Sequence, residues 1–206
     1  FHKTHFTYQS LPLVSILREG NFITTKTRTY SMSQELVVLV DENNQIIGTI
    51  PKAKVHTANT PLHRGFSVFI FNPQRQLLLQ QRSHLKKTWP LTWSNSCCGH
   101  PGVGESVITA ARRRLKDELG LIQIKNLKVI SPYRYFFTKD NVMENEICPI
   151  LVGFTNQKPQ PNPQEVEAIK WINWNDWLNE VKSHPQNYSP WCIEETHIIS
   201  TKVSLS

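Results

Sequence analysis

From Glu35 onward the chain alternates short apolar runs with polar turns. The run LVVLVD at 36–41, the polar stretch Glu42–Gln45 and the run IIGTI at 46–50 predict a hairpin. SVFIF at 67–71 and LLLQQR at 77–82, joined through Asn72-Pro73-Gln74, predict a second, with the proline where a turn accepts it. The β-branched and aromatic runs LKVISPYRYFF and ENEICPILVGF, separated by the polar turn Thr138–Asn141, predict a third hairpin. Between them the period changes. Val107, Ala110, Ala111, Leu115 and Leu119 recur at spacings of three and four, which predicts a helix within Glu105–Leu119 with Arg112, Arg113, Lys116 and Asp117 on its polar face and Gly120 as its stop. The polar, proline-bearing stretch 156–163 predicts a loop, followed by a strand near Val166–Ile172, a helix from about Asn175 and a last helix after Ser189-Pro190-Trp191.

Composition narrows this to one domain. With 206 residues and 39% hydrophobic content, a single α/β or α+β fold with one sizeable core is expected. Lys and Arg number 23 against 16 Asp and Glu, a formal charge of +7 that suits a polyanionic partner. The basic residues are dispersed and form no recognised nucleic-acid-binding pattern, so no nucleic acid is expected. No apolar run approaches the roughly 18 to 20 residues of a membrane span. Cys97, Cys98, Cys148 and Cys192 form neither a disulfide framework nor a paired zinc pattern, which suits a reducing, cytoplasmic setting, with organellar or peroxisomal targeting left open. Residues 1–31 contain one acid, Glu19, and are expected to be an N-terminal extension, non-native or a transit segment, with the domain occupying 32–206.

Ligand-type side chains concentrate in three places: His56 with His63, the segment Asn95–Pro101, and Glu144-Asn145-Glu146. In extended backbone, residues two apart share a face, so Glu144 and Glu146 can address one point, as can Cys98 and His100. Two carboxylates and several imidazoles suit a divalent first-row metal. Each residue alone reads as ordinary surface. The apolar Cys148-Pro149-Ile150 directly after the carboxylates argues that their face turns inward, where acids need a cation beside them.

The spacing Gly99, five residues, Glu105, seven residues, Arg113, then Leu115, Asp117, Glu118, Gly120 and Leu121 follows the Nudix box. Together with WSNSCCGHP at 93–101 and ENEICP at 144–149, it makes the chain resemble the type 1 isopentenyl-diphosphate isomerases, from about Val37 to near Trp191. Arg114 stands where a Nudix hydrolase box has a Glu, and Asp117 where it has another. Fewer carboxylates and one more cation favour holding a diphosphate over activating water.

The resemblance implies a single α+β domain of α/β/α type, with a mixed sheet and flanking helices. It implies conversion of isopentenyl diphosphate to dimethylallyl diphosphate in isoprenoid biosynthesis by a monomer. One divalent metal (Zn, Mn or Mg) would be bound by His56, His63, His100, Glu144 and Glu146. Cys98 would be one acid or base, Glu146 with Tyr135 would serve the opposite face, and Trp191 would lie near the reacting carbons. Glu118 with the backbone carbonyl of Cys98 would hold a magnesium ion bound to the substrate diphosphate, whose oxygens Lys52, Arg82, Lys86 and Arg114 would contact. Cys98 is preferred to Cys97 because it shares the face of His100 in an extended segment. The competing expectation is a Nudix pyrophosphohydrolase acting on nucleotide diphosphates, on the same fold.

Overall fold

The computed structural model describes residues 35–202, so the expectation for residues 1–31 lies outside the described residues. The first hairpin forms as expected, from β1 (Leu36–Val40) and β2 (Ile46–Pro51). Its turn is built by Asp41, whose Oδ1 accepts the backbone N–H groups of Asn43 and Gln45, while Asn44 takes a left-handed conformation that short polar residues tolerate. A single helical turn, α1 (Lys52–Val55), and the short β3 (His63–Arg64) lead into the second hairpin, β4 (Phe66–Phe71) and β5 (Gln76–Arg82). Every residue of β4 is buried, which explains its unbroken apolar run: both of its faces are covered.

The two-residue β6 (Trp93–Ser94) adds to β5, and β7 (Cys97–Gly99) adds to β4. Helix α2 (Val107–Leu119) is capped by the Ser106 hydroxyl, which accepts from Thr109 N–H, and ends at Gly120, whose positive φ of 66° lets its N–H reach back to the carbonyls of Leu115 and Lys116. Ala110, Ala111, Leu115 and Leu119 are buried as the period requires, but so are Arg114 and Glu118, one turn apart on the same helix.

The third hairpin forms antiparallel across Thr138–Asn141 as expected, but it bends between two sheets. Each long run breaks in two, giving β8 (Lys125–Ser131), β9 (Arg134–Lys139), β10 (Val142–Ile147) and β11 (Ile150–Phe154). The breaks fall at Pro132 and Pro149, where the chain loses an N–H donor and leaves one sheet for another. The strands therefore serve two sheets, ordered β2-β1-β3-β10-β9 and β12-β5-β4-β11-β8 with β12 at Val166–Asn173. β3 runs parallel to β10 and β4 parallel to β11, so both sheets are mixed. Gly65 N–H to Ile147 O and Ser67 N–H to Pro149 O carry the pairing across the bend.

Helices α3 (Trp174–Ser183) and α4 (Pro190–Lys202), joined through a 3-10 turn at Pro185–Asn187, complete the described fold. Alternation along β4 sends Phe66, Val68 and Ile70 toward α2 and Phe69 and Phe71 toward α3 and α4. The result is helix, sheet, helix around the larger sheet, with the smaller sheet continuing from its bent strands. Among the described residues no helix is long and apolar enough to cross a membrane.

Candidate metal centre and active-site cavity

The bend between the sheets is where the ligand-type residues meet. His63 on β3 is the register partner of Glu146 on β10, His56 follows the end of α1, and His100 follows β7. The three imidazole centroids are 5.1 to 5.5 Å apart. One ligating atom from each of His56, His63, His100 and Glu146 lies within 4.8 Å of the others. His63 Nδ1 lies 2.8 Å from the Pro61 carbonyl, a contact that holds the proton there and leaves Nε2 as a lone pair facing Glu146 Oε1 at 3.3 Å. His100 Nε2 is 3.0 Å from the same oxygen.

Glu144 stands apart from the other four. Its Oε2 is 2.9 Å from His56 Nε2, so it joins the cluster through that ring. Asn145, between the two acids, turns away and donates to the Thr60 carbonyl, as strand alternation requires.

The donor set fits a divalent cation. His56 Nε2 and His63 Nε2 are buried and make no hydrogen bond of good geometry, although each faces a carboxylate oxygen at close range. Buried nitrogen lone pairs facing carboxylates are the arrangement an N/O metal site requires. Burial would raise the pKa of Glu146, but the imidazoles of His100 and then His63 beside it overcome burial and hold the carboxyl well below its usual range. Burial is likewise overcome at Glu144, where His56 lowers the pKa. Gly65 completes the geometry: a Cβ there would sit 1.9 Å from Glu146 Oε2, so only glycine leaves room for the carboxylate.

A cavity of about 420 Å³ opens over this cluster and is also lined by Tyr135, Trp191 and Cys98. Tyr135 donates its O–H to Glu146 Oε2 at 3.1 Å, and burial together with the charge of Glu146 pushes its pKa far up, so it stays a neutral phenol. Trp191 stacks on Tyr135 at 5.8 Å, meets Trp89 edge-on at 5.2 Å and leaves its buried Nε1–H without a partner. Cys98 enters from the larger sheet, whereas Glu146 enters from the smaller one. Burial pushes the Cys98 thiol up to about 12. The neighbouring Cys97 points the other way and packs among Phe66, Val68 and the residues of α2.

Lys52, Arg82, Lys86 and Arg114 also line the cavity. Lys52 pairs with Glu35 at 3.0 Å, Lys86 with Glu165, and Arg114 with Glu165 at 3.1 Å and Glu118 at 2.6 Å. Arg82 is held by the Thr88 carbonyl and hydroxyl, and its guanidinium lies 5.7 Å from the Trp191 ring centre. Glu118 does not line the cavity. It is buried behind Arg114, which donates twice to its Oε1, with Gln80 Nε2 at 3.4 Å from its other oxygen. Glu105 and Arg113 of the box form a two-point ion pair, and Arg113 also donates to the His100 carbonyl, so this half of the box fastens the segment that presents His100.

Glu35, Glu165 and Glu195 escape a reading of the sequence, because each gains its place from a partner distant along the chain or from burial in a helix whose polarity pattern has no clear face.

Residues 61–192 match the NUDIX domain family. The isopentenyl-diphosphate Delta-isomerase of Saccharopolyspora erythraea is 45% identical over 163 residues, covering 78% of this chain and 84% of that protein. The enzyme of the same name from Kocuria rhizophila is 45% identical over 159 residues, covering 76% of this chain and 88% of its own. A crystal structure of a Deinococcus radiodurans protein superposes with a TM-score of 0.63 at 19% identity, covering 80% of this chain and 98% of that one. A MutT protein from Methanosarcina mazei superposes at 0.57 with 15% identity, covering 68% of this chain and 94% of that one; at such identities the likeness is one of fold.

Proposed function

Since this chain belongs to the Nudix family and, within it, to the isopentenyl-diphosphate Delta-isomerases, we propose how its own residues carry out that isomerisation. It is an enzyme that moves the double bond of isopentenyl diphosphate to give dimethylallyl diphosphate. The reaction adds a proton at the terminal carbon and removes one from the neighbouring methylene, through a tertiary carbocation-like state. The observation that carries the assignment of roles is the meeting, in one cavity, of the Cys98 thiol from one sheet and the Glu146 carboxylate with its Tyr135 phenol from the other.

The thiol and the carboxylate divide the two proton transfers between them. Cys98 carries a proton to give, so in the forward direction its S–H protonates the terminal carbon. Glu146, ionised and hydrogen-bonded to Tyr135, receives the methylene proton. The reverse reaction exchanges the two roles. Trp191, stacked on Tyr135, offers an aromatic face to the developing cation, worth on the order of 0.5 to 2 kcal/mol. The rings of Tyr135 and Trp191, which line the cavity, exclude water that would trap the cation as an alcohol.

His56, His63, His100 and Glu146, with Glu144 through His56, would hold one divalent metal, Zn, Mn or Mg. Such an ion, when bound, orients the Glu146 carboxylate and tunes its basicity. Lys52, Arg82, Lys86 and Arg114 would bind the diphosphate. A magnesium ion on that diphosphate is assigned to Glu118 and the Cys98 carbonyl on the resemblance alone, and it requires Arg114 to leave Glu118 Oε1 and turn toward the phosphate oxygens.

Incubation with a divalent metal and isopentenyl diphosphate tests the reading. Dimethylallyl diphosphate forms with no phosphate released; released phosphate from this or a nucleotide substrate would mark a hydrolase instead.

A further inference from the structure

Lys86 and Arg114 reach the cavity from different parts of the chain, one from the turn after β5 and the other from α2, and a single carboxylate lies between them. Glu165 contacts Lys86 Nζ with Oε2 and Arg114 Nη2 with Oε1, the second at 3.1 Å. It does not itself line the cavity, so it stands behind the two cations and not where an anion would lie. Both cations keep donors for a ligand. Glu165 takes one of the three N–H groups of Lys86, and Glu165 and Glu118 together engage Arg114 through Nε and Nη2, with Nη1 in neither contact.

The backbone around Glu165 makes the same connection. Ser83 donates its N–H to the Glu165 carbonyl at 3.1 Å and its hydroxyl to the Pro163 carbonyl at 3.0 Å, and Lys86 N–H closes the turn on the Ser83 carbonyl at 3.0 Å. On the other side, Gln160 and Asn162 donate their N–H groups to the carbonyls of Leu119 and Glu118 at the end of α2. The segment 160–165 thus ties the turn that carries Lys86 to the helix that carries Arg114. Two effects of Glu165 on an anion in the cavity then oppose each other. Its charge repels the anion, but the carboxylate is 23% exposed and solvent screens it. Its contacts fix two long side chains whose rotamer freedom a ligand would otherwise have to remove. Without it, Lys86 has no ion partner among the described residues, and Arg114 is left to Glu118, which lies behind it. Holding therefore outweighs repulsion.

We infer that Glu165 is a positioning residue for the diphosphate: from behind the cavity wall it holds Lys86 and Arg114 beside each other, with N–H donors left over for the phosphate oxygens. The inference rests on those two cations binding the diphosphate, as proposed above. Glu165 touches neither the substrate nor the reacting carbons, so its effect falls on binding and not on proton transfer.

Calorimetric titration with inorganic pyrophosphate and magnesium tests this without relying on turnover. Glu165→Gln, which keeps the size of the side chain and removes its charge, should weaken pyrophosphate binding by about 10-fold. In the isomerase assay it should raise KM by a similar factor and leave kcat within about two-fold, a split that a general loosening of the fold would not give. The effect should run through the cations, so in a Lys86→Met background Glu165→Gln should cost less than about three-fold in affinity. Should Glu165→Gln fail to fold, Glu165→Asp, too short to reach both cations, must show the same raised KM with kcat retained. Unchanged or tighter pyrophosphate binding by Glu165→Gln, while Lys86→Met and Arg114→Gln each weaken it, would overturn the inference, as would an undiminished loss in the Lys86→Met background. Pyrophosphate binding indifferent to Lys86→Met and to Arg114→Gln would instead refute the binding role of the two cations, and the inference with it.

Discussion

His63 and Glu146 face each other across the parallel pairing of β3 and β10, with Nε2 of one 3.3 Å from Oε1 of the other. Two residues 83 positions apart are thus joined by register alone, and their site depends on the backbone bend at Gly65 as much as on the ligands. Loss of His63 in His63→Ala should weaken divalent-metal binding by about 10 to 100-fold. Metal added to the wild-type protein should raise its Tm and a chelator should lower it, whereas the variant's Tm should hardly respond. Calorimetric titration and thermal melts with and without metal check this.

Gly65→Ala should do similar damage without touching a ligand. Its Cβ would collide with the Glu146 carboxylate, so the acid must leave its place between His63 and His100. Metal affinity should fall together with activity; an alanine variant that binds metal as tightly as the wild type would show that Glu146 is free to move.

The two adjacent thiols should separate cleanly. Cys98→Ala should abolish isomerisation and leave the metal in place, because its sulfur bonds to Asn95 and not to the metal cluster. Cys97→Ala should cost stability of about 1 kcal/mol, as expected for a small packed thiol, and leave the chemistry nearly intact. Metal analysis, turnover and denaturant unfolding of both variants distinguish the roles.

Acid should loosen the diphosphate end of the cavity. The carboxyl of Glu165 is pulled down to about 2 against the burial that would raise it, by Lys86 and then Arg114. A folded-state pKa below the ordinary 4.5 adds stability that is fully present above that value and is lost as pH falls from about 4.5 toward 2. Glu165→Gln should therefore flatten the fall in unfolding free energy over this window. Denaturant titrations of both proteins between pH 6 and 2.5, about the accessible range, measure the difference.

Much of this arrangement was legible in the chain. The turns at Glu42–Gln45 and at Asn72-Pro73-Gln74, the α2 period and its Gly120 stop are local signals, and the structure follows them. Strand alternation correctly set Glu144 with Glu146 and separated Cys97 from Cys98. The sheet change at Pro132 and Pro149 was not legible, because proline there reads equally as a bulge or an edge. Arg114 and Glu118 resemble a solvent-face pair one turn apart, and only the packing of α2 against the larger sheet buries them. Glu195 lies in a helix with charged and apolar residues on all sides, so its burial depends on tertiary contacts alone.

The two-station proton transfer is the central claim, and isomerisation in deuterium oxide followed by NMR tests it most directly. The wild-type protein should place deuterium on the new methyl group of dimethylallyl diphosphate, and Cys98→Ala should form no product. Glu146→Gln should also form no product, while a surviving thiol can still exchange protons at the terminal carbon of the substrate. Normal turnover and labelling by Cys98→Ala, with Cys97→Ala inactive, would contradict both the facing of β7 and the mechanism built on it.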